Sequence, residues 1–399
     1  MNSPKKHITL LCSSFPPETG AAPNRMYHLA KMLLQNDYAV TVICAMPNYP
    51  TGEIFQNYRG KIIVKEKLEG INVIRTWLIP TNSSNKWKRA ISLFSYTASL
   101  YLLARRQLFN TDPDIIIISS PPFVTGYFGL QIAKQSKAKV ILNVSDLWPR
   151  SAYDLGFIKE GAFYRFLQGR EQKMYKLADA FTVQSFAIKQ HIEQSGNAQV
   201  SFVYRNLQPN TSAAKMKRPD GKRKIVYAGL LGIAQGILGI INAIDFAAIG
   251  TELHIYGQGF ELEKIKEYLS RHSNRGVYYL GTLPAAEISS MLTAYHAMLI
   301  PLSASIEGAV PSKVFNSIAN GLPVLFSGAG EAAEIIRNYQ IGFVSDPLNY
   351  VQLKENISSL LQLSTDEYEA LRMNCGNCSE TVFNKEKQDE LFLQFLESV

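Results

Sequence analysis

Val310-Pro311-Ser312-Lys313-Val314-Phe315-Asn316 runs into Ser317-Ile318-Ala319-Asn320-Gly321-Leu322-Pro323-Val324-Leu325-Phe326, and the grammar of the stretch is that of an α/β protein. Pro311 and Ser312 read as a helix start with Ser312 in the capping position. Val314, Phe315 and Ile318 supply an apolar face, and Gly321 closes the helix. Pro323 to Phe326 then reads as a short buried strand, followed by the turn Ser327-Gly328-Ala329-Gly330. A helix N-terminus beside Lys313 favours an anion, because unpaired N–H groups and the helix dipole both point positive charge outward. An ordinary capped helix with a solvated lysine is the competing reading.

Outward from this unit, short Ile/Val-rich runs alternate with helical patterns along the whole chain. The first series comprises 8–12, 39–44, 62–66, 71–75, 115–118, 140–144, 181–183 and 200–203. A second begins at 224–229 and continues through 252–257, 277–281, 297–301 and 323–326. Continuous apolar strands separated by helices are covered on both faces, which predicts parallel sheets. Between the two series, Asn206 to Asn210 and the polar basic run up to Lys224 read as a linker. Two Rossmann-like halves follow, with ligands expected at the carboxyl ends of the strands.

The 399 residues exceed one typical core. With 46% hydrophobic and 19% charged residues, the composition is that of a globular chain. The charge is uneven. Residues 1–210 carry 25 Lys/Arg against 13 Asp/Glu, whereas residues 211–399 carry 16 against 20. An anionic partner is therefore expected for the first half. The longest candidate for a membrane span, Ala90 to Ala104, is too short to cross. Lys5-Lys6-His7 ahead of a strand does not read as a signal peptide, and four cysteines suit a reducing compartment. A cytoplasmic protein is expected, free or peripheral on the inner face of the plasma membrane. Lys86, Trp87, Lys88, Arg89, Arg105 and Arg106 flank the uncharged stretch and would face the bilayer, with a plain core helix as the alternative. Cys375-Gly376-Asn377-Cys378 has ligand spacing but no second pair, so no metal site is expected. No module for binding nucleic acid is recognisable.

Several motifs stand in a fixed order: Phe15-Pro16-Pro17-Glu18-Thr19-Gly20, Pro47-Asn48-Tyr49-Pro50-Thr51-Gly52, Ser145-Asp146-Leu147-Trp148-Pro149, Tyr227 to Gly236, Pro311-Ser312-Lys313 and Ala319 to Val324. On these, the chain resembles the retaining family 4 glycosyltransferases of GT-B fold over essentially its whole length. It looks most like the branch that builds bacterial O-antigen and capsule, including L-fucosamine-type transferases. The resemblance implies two Rossmann-like domains facing each other across a cleft. Residues 1–205 would bind the acceptor, 206–222 would link, 223–378 would bind the nucleotide-sugar, and 379–399 would form a helix packing back toward the first domain. It implies a hexosyl- or N-acetylaminosugar transferase acting on a lipid-linked saccharide. Neither metal nor cofactor is implied, the nucleotide diphosphate-sugar being a substrate.

Carried onto this sequence, the resemblance makes Asp146 catalytic, at the end of a buried strand; an acid that caps the next segment is the rival reading. Donor-binding positions are Gly20, Gly232, Gln235, Glu307, Ser312, Lys313, Asn316 and Glu331, with Arg205 as a further phosphate partner. The chain departs from the family at several of them. The wider family has two glutamates eight positions apart, where this chain has Gly308 (beside Glu307) and Asn316. It has Arg and Lys at the diphosphate, where this chain has Leu230 and Gln235. If those two cannot neutralise a diphosphate, Lys313 must. Two other readings share the architecture: a relative altered in catalysis, and a non-hydrolysing nucleotide-sugar epimerase.

Overall fold

The computed structural model describes residues 5–49, 51–83, 85–197, 199–209, 211 and 223–399, apart from the side chains at positions 5, 86, 285 and 286. Most of the linker 206–222, and the side chain of Lys86, thus lie outside the described residues. The chain divides into two compact units. The first is Met1–Tyr153, Ile158–Tyr204 and Phe392–Val399; the second is Asp154–Phe157 and Arg205–Leu391.

Among the described residues the first unit holds eight strands: β1 (Lys5–Leu11), β2 (Tyr38–Ala45), β3 (Ile63–Leu68), β4 (Ile71–Thr76), β5 (Ile115–Ser120), β6 (Lys139–Val144), β7 (Ala180–Val183) and β8 (Ser201–Val203). They form one sheet in the order β3-β4-β2-β1-β5-β6-β7-β8. β1 is central, with Leu10 paired in parallel to Val42 on β2 and to Ile117 on β5. Helices cover both faces, so these strands read as unbroken apolar runs.

β3 corrects the sequence reading. It runs antiparallel to β4, with Leu68 opposite Ile71. The two turn residues, Glu69 and Gly70, both have positive φ (46° and 92°), the geometry of a tight two-residue hairpin. The clue lay in β3 itself, Ile-Val-Lys-Glu-Lys-Leu, which is only half-buried and fits a sheet edge. The chain's last residues also belong to this unit. Phe392, Phe395 and Leu396 are buried against Phe202 and Tyr204, with the Tyr204 and Phe392 rings 4.6 Å apart.

Among the described residues the second unit has six parallel strands, β9 (Lys224–Ala228), β10 (Glu252–Tyr256), β11 (Val277–Tyr279), β12 (Ala297–Pro301), β13 (Val324–Ser327) and β14 (Gly342–Ser345). Their order is β11-β10-β9-β12-β13-β14. β14, Gly-Phe-Val-Ser, has no aliphatic run and escapes a sequence reading; its pairing with β13 defines it. Cys375 and Cys378 lie one turn apart in the helix Thr365–Thr381 and are buried in the core with Ile341 and Phe383.

Candidate active site

Both sheets carry their candidate residues at the carboxyl ends of parallel strands, where loops leave the core and backbone groups are unspent.

In the second unit the helix Ser312–Ala319 starts at Pro311, with Ser312 as its first helical residue. This corrects the expected cap. Pro311 has no side chain that can accept, and no side chain caps this end. The N–H of Val314 donates to Pro311 O at 3.0 Å, and those of Ser312 and Lys313 are left for another acceptor. Lys313 lies beside them. Its ammonium sits 5.4 Å from the centre of the Tyr227 ring and makes no ion pair among the described residues. Desolvation pulls it down to about 8. Gly229, just after β9, makes room for it: a Cβ there would lie 2.3 Å from Lys313 Cε.

The loop Gly229–Gly236 is held from below. The Tyr227 hydroxyl donates to the carbonyl of Leu230, and Leu231 N donates to Gln258 O at 2.9 Å. Gly257 admits this loop, since a Cβ would come within 1.8 Å of Gly229 O. Gly232 and Gln235 are half-buried on the loop, and Gln235 Oε1 is buried without a partner. Leu230 is 45% exposed, so the family's cation position here offers only hydrocarbon. Glu307 is half-buried in the loop between β12 and the helix Ser312–Ala319.

Asn316 lies one turn beyond Lys313 on the same helix. Its Oδ1 accepts from Asn320 Nδ2 at 3.1 Å, and Asn320 Oδ1 in turn accepts from Thr211 Oγ1 at 3.0 Å. This chain of bonds commits the Asn316 oxygen and leaves its Nδ2 as the outward group. A carboxylate could accept the same Asn320 hydrogen. We therefore expect Asn316→Glu to hold nucleoside diphosphates as tightly as the parent, or about threefold tighter, because charge-assisted hydrogen bonds are roughly twice as strong as neutral ones. Calorimetric titration with UDP and GDP reads this; a loss beyond about tenfold would mean a pocket rebuilt around the amide.

Arg205 and Glu331 are placed otherwise than expected. The Arg205 guanidinium is buried, pairs with the Glu331 carboxylate and lies beside the Phe315 and Phe383 rings, 5.6 and 5.7 Å from their centres. Its charge is paired with Glu331, a partner that the sequence reading of Arg205 as a possible phosphate partner does not include. Glu331 gives its Oε1 to Arg205. A buried pair of this kind is costly to break, about 3–5 kcal/mol, because one charge would be left alone.

In the first unit Asp146 lies just past β6 and makes no hydrogen bond among the described residues, so the capping role is not the one it plays here. It is solvent-accessible yet crowded by protein, and desolvation pushes its carboxyl up to about 6, with the Arg25 cation pulling the other way. Arg25 was not legible as a site residue. It sits in the second turn of the helix Ala21–Gln35, is 9% exposed, and donates from Nη2 to Ser145 Oγ at 2.8 Å. Ser145 Oγ passes the bond on to Ser120 O at 3.0 Å. Arg25 Nε is buried without a partner. Gly20 is the exposed residue that opens this helix, at φ 143°.

Glu18, also unassigned from sequence, joins the two proline-rich motifs. It is 2% exposed, and Oε1 accepts from the N–H groups of Asn48 and Tyr49, both at 2.9 Å. Burial pushes its carboxyl up, and those two amides hold it back. The signal for Glu18 was its place within a quoted motif. Arg25 had none, since an arginine in an amphipathic helix is ordinary.

The uncharged stretch resolves into the helix Lys86–Ser99, a π-turn over Leu100–Ala104 and the helix Arg105–Thr111. Tyr96, Leu100, Ala104 and Leu108 face the core, and the Tyr96 hydroxyl donates to Cys12 O. Trp87, Ile91, Phe94 and Leu102 face outward, at 81, 52, 75 and 74% exposure. Lys88, Arg89, Arg105 and Arg106 are exposed at the two ends. No helix among the described residues is long and apolar enough to cross a membrane.

Comparison with known proteins assigns both units. A family model described as Glycosyltransferase Family 4 matches residues 22–205, and one described as Glycosyl transferases group 1 matches residues 210–378. A protein of Escherichia coli K12 named as the colanic acid biosynthesis glycosyl transferase WcaI is 22% identical over 328 residues, which are 77% of this chain and 80% of that one. Among solved structures, sucrose-phosphate synthase from Thermosynechococcus elongatus superposes with a TM-score of 0.75 at 14% identity, over 99% of this chain and 100% of that one. The Anabaena protein HepE, solved with UDP and glucose, gives 0.69 at 15% identity, over 99% and 100%.

Proposed function

We propose, from the premise that this chain belongs to the GT-B glycosyltransferases with a family 4 half and a group 1 half, that it moves a sugar from a nucleotide diphosphate-sugar onto a lipid-linked saccharide with retention of anomeric configuration. It is a glycosyltransferase of polysaccharide biosynthesis, and O-antigen or capsule assembly of the L-fucosamine-transferase type is the specific setting we propose. The observation that carries the reading is Lys313: a cation with no ion pair among the described residues, beside an uncapped helix start and a glycine-rich loop. Departure of a nucleotide diphosphate builds charge on the leaving phosphate, and preorganised N–H groups with one ammonium stabilise that charge. The tyrosine ring beneath Lys313 keeps the cation in place before the donor arrives.

Residues 223–378 bind the donor in this reading and residues 1–205 the acceptor, while of 379–399 only Phe392–Val399 belong to the first unit. Gly232 and Gln235 lie along the diphosphate, Ser312 and Lys313 hold its far phosphate, Asn316 donates to a ribose hydroxyl, and Glu307 meets the sugar. Gly20 gives the transferred sugar a close backbone approach. Asp146 acts at the reacting carbon, with Arg25 setting its charge. UDP-, GDP- and dTDP-sugars tested for thermal stabilisation decide the donor class, since a ligand at a hundred times its Kd adds about 2.7 kcal/mol. A stabilising member is expected, and no shift with any of them contradicts the reading.

A lipid-linked acceptor lies at a bilayer, and the outward face from Trp87 to Leu102 suits one: apolar in the middle, basic at both ends. Each basic residue near an anionic surface is worth about 1 kcal/mol within a Debye length. We expect the protein to pellet with phosphatidylglycerol vesicles at low salt and to release as salt rises. Neutralising Lys88, Arg89, Arg105 and Arg106 should abolish pelleting, and Trp87→Ser should weaken the part that resists salt. No pelleting at low salt leaves an ordinary packed helix.

A further inference from the structure

A cavity of about 900 Å³ opens in the first unit at the β3–β4 edge of its sheet. We infer that it is a distal subsite for the acceptor, taking a neutral saccharide unit several residues away from the sugar that reacts. This rests on the glycosyltransferase reading and goes beyond it in naming where, and how far out, the acceptor is read.

The lining has the two characters a sugar ring presents. Pro16, Pro17 and Phe55 form an apolar wall, while Gln56, Asn57 and Glu66 offer amide and carboxylate groups. Glu66 is held rigid. Arg75, fully buried, donates from Nε to Glu66 Oε1 at 2.6 Å, and the Tyr58 hydroxyl lies 3.1 Å from Oε2. The other two Arg75 nitrogens are spent on Pro16 O and Cys44 Sγ, so this arginine braces the cavity without being available to a ligand. Its charge is matched by Glu66, and Arg59 at the rim by Glu53 at 2.8 Å. Four of the five charged lining residues cancel in pairs, the exposed Lys67 being the fifth; with the inner charges matched and hydroxyl-binding groups left over, the lining suits an uncharged polyol better than a phosphate or a carboxylate. A rigid carboxylate with spare lone pairs is the natural acceptor for sugar hydroxyls.

Position supplies the second half of the inference. Pro16 and Pro17 belong to the same loop as Glu18 and Gly20, and the 51–59 wall continues the segment that Glu18 holds through Asn48 and Tyr49. The cavity thus opens beside the loops at the carboxyl ends of β1 and β2. In the sheet order, β4 lies four strand spacings from β6, whose end carries Asp146. At about 4.8 Å per spacing that is roughly 19 Å. No single sugar ring spans this, and an oligosaccharide does.

Gln56 and Asn57 are exposed, so substitutions there leave the fold alone. With a lipid extract of the producing cell as acceptor and a labelled donor, Asn57→Trp and Gln56→Ala should each raise the apparent KM for acceptor about tenfold. Their kcat and their affinity for UDP, GDP and dTDP should stay as in the parent. Saccharides released from that extract by mild acid should show saturation-transfer NMR signals with the parent protein, and Asn57→Trp should lose them. An unchanged KM in both variants, or signals that survive Asn57→Trp, overturns the subsite. Failure of the parent to bind any of the nucleotides strikes the transferase reading instead, and the NMR arm still reports on the cavity.

Discussion

Asp146→Asn should lower kcat by about a hundredfold while leaving the Kd for the nucleotide donor where it was, the scale expected when a positioned acid or base is lost. The reason is the environment just past β6, where desolvation raises the carboxyl to about 6 and Arg25 opposes the rise. The sign follows from that. The proton is held below about pH 6, so a reaction that uses the carboxylate switches on as pH rises through that value. Removing the Arg25 cation withdraws the charge that favours ionisation, so Arg25→Met should move the acid limb to higher pH. An arginine with a purely structural part would lower kcat without moving the limb. Turnover of Asp146→Asn within about twofold of the parent would return Asp146 to a structural role.

Lys313→Met should weaken binding of the nucleoside diphosphate by about a hundredfold at pH 7 and leave the fold intact. Among the described residues the ammonium has no carboxylate partner to strand, so removing it breaks no ion pair there. Losing a charge-assisted bond of about 1.5–3 kcal/mol gives an affinity change of that order. The parent should also show a pH dependence that the variant lacks. Lys313 sits near 8 in the free protein, and a bound diphosphate draws the proton back onto it. Donor affinity should therefore fall as pH rises beyond about 8, by up to tenfold per unit, and Lys313→Met should be flat over the same range. Equal affinity in parent and variant removes Lys313 from the site.

The fold was largely legible because buried parallel strands write themselves as aliphatic runs. Ile115 to Ile118 and Val140 to Val144 can hardly be anything else. β3 and β14 were misread or missed for the complementary reason: an edge strand and a strand led by glycine carry little apolar signal. At the site, Lys313 was legible because a helix start and a lysine are both local features. Ser312 as the cap was not right, since a single-residue shift in where the helix begins moves the cap to Pro311. Arg205 and Glu331 show the limit most clearly. Each looked like a ligand residue taken alone, and a pairing over 126 positions is invisible until the chain folds. Arg25 was hidden in the same way, because its meaning comes from Ser145 and Asp146 on a distant strand end.

The most direct measurement takes the nucleotide-sugar that stabilises the protein, labels its sugar and incubates it with a lipid extract of the producing cell. The product is then read by NMR for the configuration at the anomeric carbon. Label is expected in the lipid fraction, with release of the nucleoside diphosphate and a glycosidic bond of the same anomeric configuration as the donor. Inverted configuration, or conversion of the donor to an epimer with no label reaching the lipid, would contradict it.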